Sequence, residues 1–258
     1  TWAGRAFGPW AGWMGGWGII AADIIVMANL AQIAGQYSFL LVGLHDLAAS
    51  TLWTAVAGST WILLMTWICY RGIEVSARLQ YALLTVELLV LAVFAVVALV
   101  KVGTGDAPGG SLVPSLAWLW PFGVGVDELV AAVLIAVFLY WGWDSAVSCN
   151  EESDDPGTTP GRAGVLSTLL LVTTYVLVAV AAVAFAGTGT EGIGLGNPEH
   201  LDDVFAAIGP AVFGDGELGT VFEFLLVLSV LTSAAASTQT TILPTARAAL
   251  SMAAYRAL

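Results

Sequence analysis

The sequence predicts an all-α, polytopic transmembrane helix bundle of six spans. Three observations carry that prediction. Hydrophobic residues fill 59% of the 258 positions and charged residues only 10%, with a mean hydropathy of +0.89. Soluble domains carry about 25% charge, so this chain suits a solvent that is largely lipid. Six stretches are apolar over the length, about 20 residues, that a helix needs to cross the hydrocarbon layer. When those six crossings are counted, the arginines gather on one side, as cytoplasmic loops require.

The spans run over residues 12–37, 50–70, 79–101, 129–150, 164–187 and 219–245. Connecting segments rich in Gly, Pro, Asp and Ser, such as 103–110 and 188–198, separate them. The acidic run 188–217 is expected to be an extracellular loop, with 200–207 forming a short amphipathic helix outside the bilayer. The chain begins at Thr1 rather than Met and closes at Leu258 after a hydrophobic stretch. No basic stretch followed by a short apolar core and a cleavage site marks a signal peptide. The sequence is read as one transmembrane-domain fragment of a longer protein.

Arg5 precedes the first span, Arg71 and Arg78 lie between spans two and three, Arg162 between four and five, and Arg247 and Arg256 after the sixth span. Only Lys101 falls on the opposite side. One crossing more or fewer would scatter the arginines, so their side is expected to be cytoplasmic, with both ends facing it, in the cell membrane. The net charge of −12 resides largely in the outer loops, and it excludes nucleic acid as a partner. The only histidines, His45 and His200, fall in those loops, and neither H-E-x-x-H nor G-x-S-x-G occurs. No enzyme activity, prosthetic group or metal is expected. Cys69 and Cys149 do not make a disulfide framework and read as small apolar residues.

A charge within a bilayer is costly enough to mark function by default. Asp23, Glu87 and Asp144 lie inside spans, whereas Glu223 sits near the outer end of the sixth, within reach of water. Asp144 belongs to the run from Phe138 to Ser145, in which Gly142 interrupts an apolar stretch flanked by Tyr140, Trp141 and Trp143. Two readings stand for this run. In one the helix breaks, presenting freed backbone groups to a polar solute. In the other it is continuous and Asp144 already nears the cytoplasmic interface. In the first span Asn29, Gln32 and Gln36 follow helical spacing, while Asp23, six residues before Asn29, lies on a different face. These groups either line a pathway or bond to neighbouring helices. Ser229, Thr232 and Ser233 share a face of the last span and suit either an ion site or close helix packing. Gly8, Gly12 and Gly16 read as packing positions, and Trp53, Trp118 and Trp120 as interfacial anchors.

The stretch Tyr140-Trp141-Gly142-Trp143-Asp144-Ser145, with Glu151, Glu152, Pro156, Pro160 and Arg162 after it, resembles the sixth helix of the amino acid–polyamine–organocation (APC) permeases. Gly161, standing between Pro160 and Arg162, departs from the family spacing. The stretch from Gly72 to Arg78 is similar to the start of the fifth family helix, and the segment from Leu231 through Arg247 to Ala253 to the eighth helix and its exit. The resemblance thus covers helices three to eight of a ten-helix core.

What the resemblance implies is a fold of two inverted five-helix repeats, with residues 1–101 ending the first and 129–258 beginning the second. It implies an aromatic gate at Phe138, an unwound stretch at Tyr140, Trp141 and Gly142, and proton sensing or gating at Asp144. Several proton-coupled relatives carry a lysine where this chain has Glu87. A carboxylate there cannot imitate the lysine, but it can cycle a proton or pair with a cation. The expectation is a secondary active transporter moving amino acids or related amines, by proton coupling or exchange. Phe138, Tyr140, Trp141, Gly142, Asp23 and Asn29 would bind substrate, Asp144 and Glu87 would couple or gate, and Ser229, Thr232 and Ser233 would form an ion site. The coupling ion is a proton or sodium. A channel or a non-transporting subunit with a polar, helix-lined pore is the alternative.

Overall fold

The computed structural model describes residues 2–120, 123–140, 142, 153–200, 203–214 and 216–254, and every regular element among them is helical. In chain order these are α1 (Trp2–Phe7), α2 (Pro9–Leu41), α3 (His45–Ala48), α4 (Thr51–Tyr70) and α5 (Ile73–Thr104). They are followed by α6 (Val126–Leu139), α7 (Thr159–Ala186), α8 (Val204–Phe213) and α9 (Glu217–Ala254). Among the described residues five helices are long and apolar enough to cross a membrane: α2, α4, α5, α7 and α9. They coincide with five of the six expected spans. The remaining one, expected over 129–150, is helical from Val126 to Leu139, which is 14 residues, and 143–150 lie outside the described residues. Cys149 lies there too.

The chain forms two compact units, each containing parts of α5 and α9. The first comprises residues 1–84, 142–164 and 230–258. Its densest seam joins α2 to α4. Gly35 lies against the Thr54 backbone and Gly58 against that of Ala31, so closely that a Cβ on either glycine would collide with a carbonyl oxygen. Ala31 and Ala34 are buried along the same seam. Small residues permit this approach in lipid, where contact and hydrogen bonding rather than water exclusion draw helices together. Trp61 Nε1 donates to Ser38 Oγ across the seam at 2.8 Å. Of the glycines expected to pack, Gly16 faces the Met252 side chain of α9, whereas Gly8 has nothing within 4 Å of a Cβ and instead stands at φ 94° between α1 and α2.

The second unit comprises residues 85–141 and 165–229. Its core sets Phe94 of α5, Phe185 of α7, and Ile208 and Val212 of α8, all fully buried, among alanines of α5 and α7. Phe205 stands edge-on to Phe94 with centroids 5.4 Å apart, and Phe213 stacks on Phe222 at 5.0 Å. The loop helix is therefore displaced from the expected 200–207. Residues 198–200 form a single 3₁₀ turn, and the Asp203 side chain accepts from Ala206 N at 3.0 Å, which starts α8 at Val204. Its apolar face, Ile208 and Val212 at i and i+4, is buried in the core rather than lying apart from it.

Lys101, the cation on the unexpected side, donates from Nζ to Ala211 O at 3.1 Å. It caps a carbonyl in the last turn of α8, where the helix dipole favours positive charge. Gly187, at φ 70°, ends α7 against Gly110 O. Both its left-handed backbone and the missing side chain are needed there. The loops around it, with Pro108, Thr190, Glu191 and Ile193, line an open cavity of about 560 Å³. None of the residues expected to form a site lines that cavity.

Candidate functional site

The end of α6 falls where the sequence places an interruption. Tyr140 N still bonds to Ala136 O at 3.0 Å, but Tyr140 itself lies in a turn and Gly142 has φ 110°. A Cβ at Gly142 would meet nothing within 4 Å. The glycine thus serves a backbone conformation that side-chain-bearing residues resist, not a tight contact. Trp141 and Asp144 lie outside the described residues, as do Trp143, Ser145, Glu151 and Glu152. Phe138 belongs to α6, and its side chain too lies outside the described ones.

Within the second unit, Tyr140 meets Tyr175 of α7 edge-on, with ring centroids 5.7 Å apart and planes at 67°. Glu87 of α5 and Tyr140 both act electrostatically on the half-buried Tyr175 phenol. A partly buried carboxylate and two phenols therefore gather beside the end of a helix. Phenols donate and accept hydrogen bonds, aromatic faces attract cations, and a carboxylate binds an ammonium group or a proton. This combination can hold an amine. The sequence reading found Glu87 and Tyr140 and missed Tyr175. Its signal was the polar triplet Thr173-Thr174-Tyr175 near the middle of a largely apolar span. The two threonines bond back to Leu169 O and Leu170 O at 2.8 and 2.9 Å, so the phenol is the group of that triplet turned to the cluster.

Within the first unit, Asp23 is 3% exposed, and Thr245 Oγ1 of α9 stands 2.9 Å from its Oδ2. Asn29 and Gln32 are exposed, so the structure does not bring them to Asp23. A second polar pair was missed: Gln80 of α5 donates through Nε2 to Gln239 Oε1 and to Ala236 O, each at 2.9 Å. Gln239 is 1% exposed, and its carbonyl accepts weakly from Cys69 Sγ at 3.8 Å. Ser229 belongs to the second unit, is buried, and donates to Leu226 O at 2.7 Å. Thr232 and Ser233 belong to the first and are partly buried.

Long apolar helices with polar groups buried inside them mark a multi-pass membrane protein. A family model described as amino acid permease matches residues 1–252. The chain belongs to that family, within the APC superfamily. It is similar to uncharacterised transporters of Mycobacterium bovis and of two strains of Mycobacterium tuberculosis. Each is 28% identical over 187 residues, which cover 70% of this chain and 36% of the relative. The chain thus spans about a third of the length of the curated relatives it matches. No solved structure matches it.

Proposed function

We propose that this chain is part of a secondary active transporter that moves an amino acid or related amine across the cell membrane, by proton coupling or exchange. The observation that carries this reading is the gathering of Glu87, Tyr140 and Tyr175 at the end of α6. It lies in a chain matched by the amino acid permease family over residues 1–252. In this reading the chain crosses six times, the arginine side is cytoplasmic, and residues 1–101 and 129–258 belong to two inverted repeats. Glu87 takes the proton or the substrate ammonium, and Tyr175 orients it.

Uptake of labelled amino acids and polyamines into proteoliposomes containing the complete protein tests this. An inward proton gradient, a sodium gradient and no gradient are compared. Saturable, proton-driven uptake that Glu87→Gln, Tyr175→Phe or Asp144→Asn reduces at least tenfold is the expected result. Sodium dependence would instead direct attention to Ser229, Thr232 and Ser233. Conductance that neither saturates nor follows a gradient would establish a pore and overturn the transporter reading.

A further inference from the structure

The end of α4 lays an arginine on a tryptophan. Arg71 directly follows the helix, and its guanidinium carbon stands 5.3 Å from the centre of the Trp67 ring, one turn back. At that range an aromatic face attracts a cation. Stacking uses the flat face of the guanidinium and leaves the N–H donors along its edge for other acceptors. Among the described residues no carboxylate pairs with Arg71; Glu74, three positions on, pairs with Arg78 at 3.7 Å. Trp67 is 55% exposed and Tyr70 86%. Trp67 lies nine residues past Gly58, two and a half turns, and so on the face of α4 opposite the seam. Toward the middle of the helix the same side continues with Leu63 and Leu64, both exposed.

Depth and charge say what meets that face. The 20 residues of α4 measure about 30 Å, the thickness of the hydrocarbon layer. Its last turn therefore comes to the boundary with the lipid headgroups, where tryptophan and tyrosine settle. The start of α2 lies at the same end, because α2 and α4 run antiparallel, Gly35 at Thr54 and Ala31 at Gly58. It carries its own aromatic belt: Trp10 stacks on Trp13 at 5.3 Å, and Trp17 follows edge-on at 6.4 Å. No acidic residue occurs in α4, or in α2 before Asp23, and Arg5 adds an exposed cation just before α2.

We propose that Arg71 and Trp67 hold the headgroup phosphate of an anionic phospholipid, whose acyl chain lies along Leu64 and Leu63. The phosphate takes the N–H edge of the guanidinium, a pairing whose planar geometry favours arginine. The indole fixes the plane of that group, and Tyr70 sits at the same depth. An anionic headgroup gains from basic residues at the membrane surface. A zwitterionic lipid brings its own ammonium to the phosphate and gains less. The site uses none of Glu87, Tyr140 and Tyr175, so it stands apart from the proposed transport reading.

Native mass spectrometry of the complete protein, released from detergent with phosphatidylglycerol or phosphatidylcholine, tests this without any transport. Phosphatidylglycerol should be retained in preference, and Arg71→Ala and Trp67→Leu should each lower its retention about fivefold while leaving phosphatidylcholine unchanged. Arg71→Lys should restore only part, because an ammonium neither stacks flat nor grips two oxygens. Arg78→Ala, which removes a cation already paired with Glu74, should behave as wild type. Equal retention of the two lipids, phosphatidylglycerol retention that survives Arg71→Ala, or an equal loss in Arg78→Ala would overturn the proposal. Displacement of the lipid by inorganic phosphate would make this a site for a free anion. A concentration-dependent dimer abolished by Trp67→Leu would give the face to a second copy of the chain. Either result also overturns the lipid assignment.

Discussion

The seam between α2 and α4 is closed by atoms that are missing, whereas the core around Phe94 and Phe185 is closed by large rings. At the seam, Gly35 and Gly58 bring backbone against backbone and leave no space for a methyl group. In the core, Phe94, Phe185, Ile208 and Val212 fill the space that the alanines of α5 and α7 leave between α5, α7 and α8. The contrast teaches that the two regions fail in opposite directions. The seam tolerates no addition, and the core tolerates no loss.

The largest effect is expected from Gly58→Leu. Overpacking usually costs about 1–3 kcal/mol because side chains can shift, but here the obstacle is the Ala31 carbonyl, fixed within a helix. The variant should give no monodisperse protein on size exclusion in detergent; a normal yield would show that the seam can open. Phe94→Ala comes next, at about 3–5 kcal/mol, read from the thermal midpoint. Phe94→Leu should recover most of it, a rescue unavailable at Gly58.

A smaller effect follows from the polar contact of the first unit. Gln239→Leu should cost about 1–2 kcal/mol, within the range for hydrogen bonds between membrane helices, because it removes the acceptor of a Gln80 donor. Adding Gln80→Leu should return part of the loss, since replacing both partners removes the unsatisfied group; strict additivity would show that the two amides act independently. The smallest effect lies in the exposed turn before α7. There the Thr158 hydroxyl first, and then the Gly157 amide, hold the Asp155 carboxyl below its ordinary range. A lowered carboxyl stabilises above its unfolded value and loses that contribution as pH falls through the folded one. The small difference in thermal midpoint between wild type and Thr158→Ala should therefore be present at pH 7 and vanish in acid.

Five of the spans were legible because a long apolar run has few alternatives once water is excluded. Glu87 and Asp23 were legible because charge is rare in such runs, and Gly142 because glycine interrupts them. The place of α8 was not. Its start depends on the Asp203 cap, and its burial on Phe94 and Phe185, which precede it by about 110 and 20 positions. Gln80 and Gln239 are separated by 159 residues, and no periodicity within either helix reveals a partner so distant. Lys101 was legible as an exception to the charge rule, but its reason, the carbonyl of Ala211, is a tertiary contact.

Because the backbones of α2 and α4 touch through Gly35 and Gly58, the two helices have no slack with which to slide. They form one girder, and Asp23 travels with it as a fixed fitting. Spin labels on α2 and α4 would then keep a constant separation while labels elsewhere changed theirs. That hairpin is the natural frame of reference against which any movement of the protein should be measured.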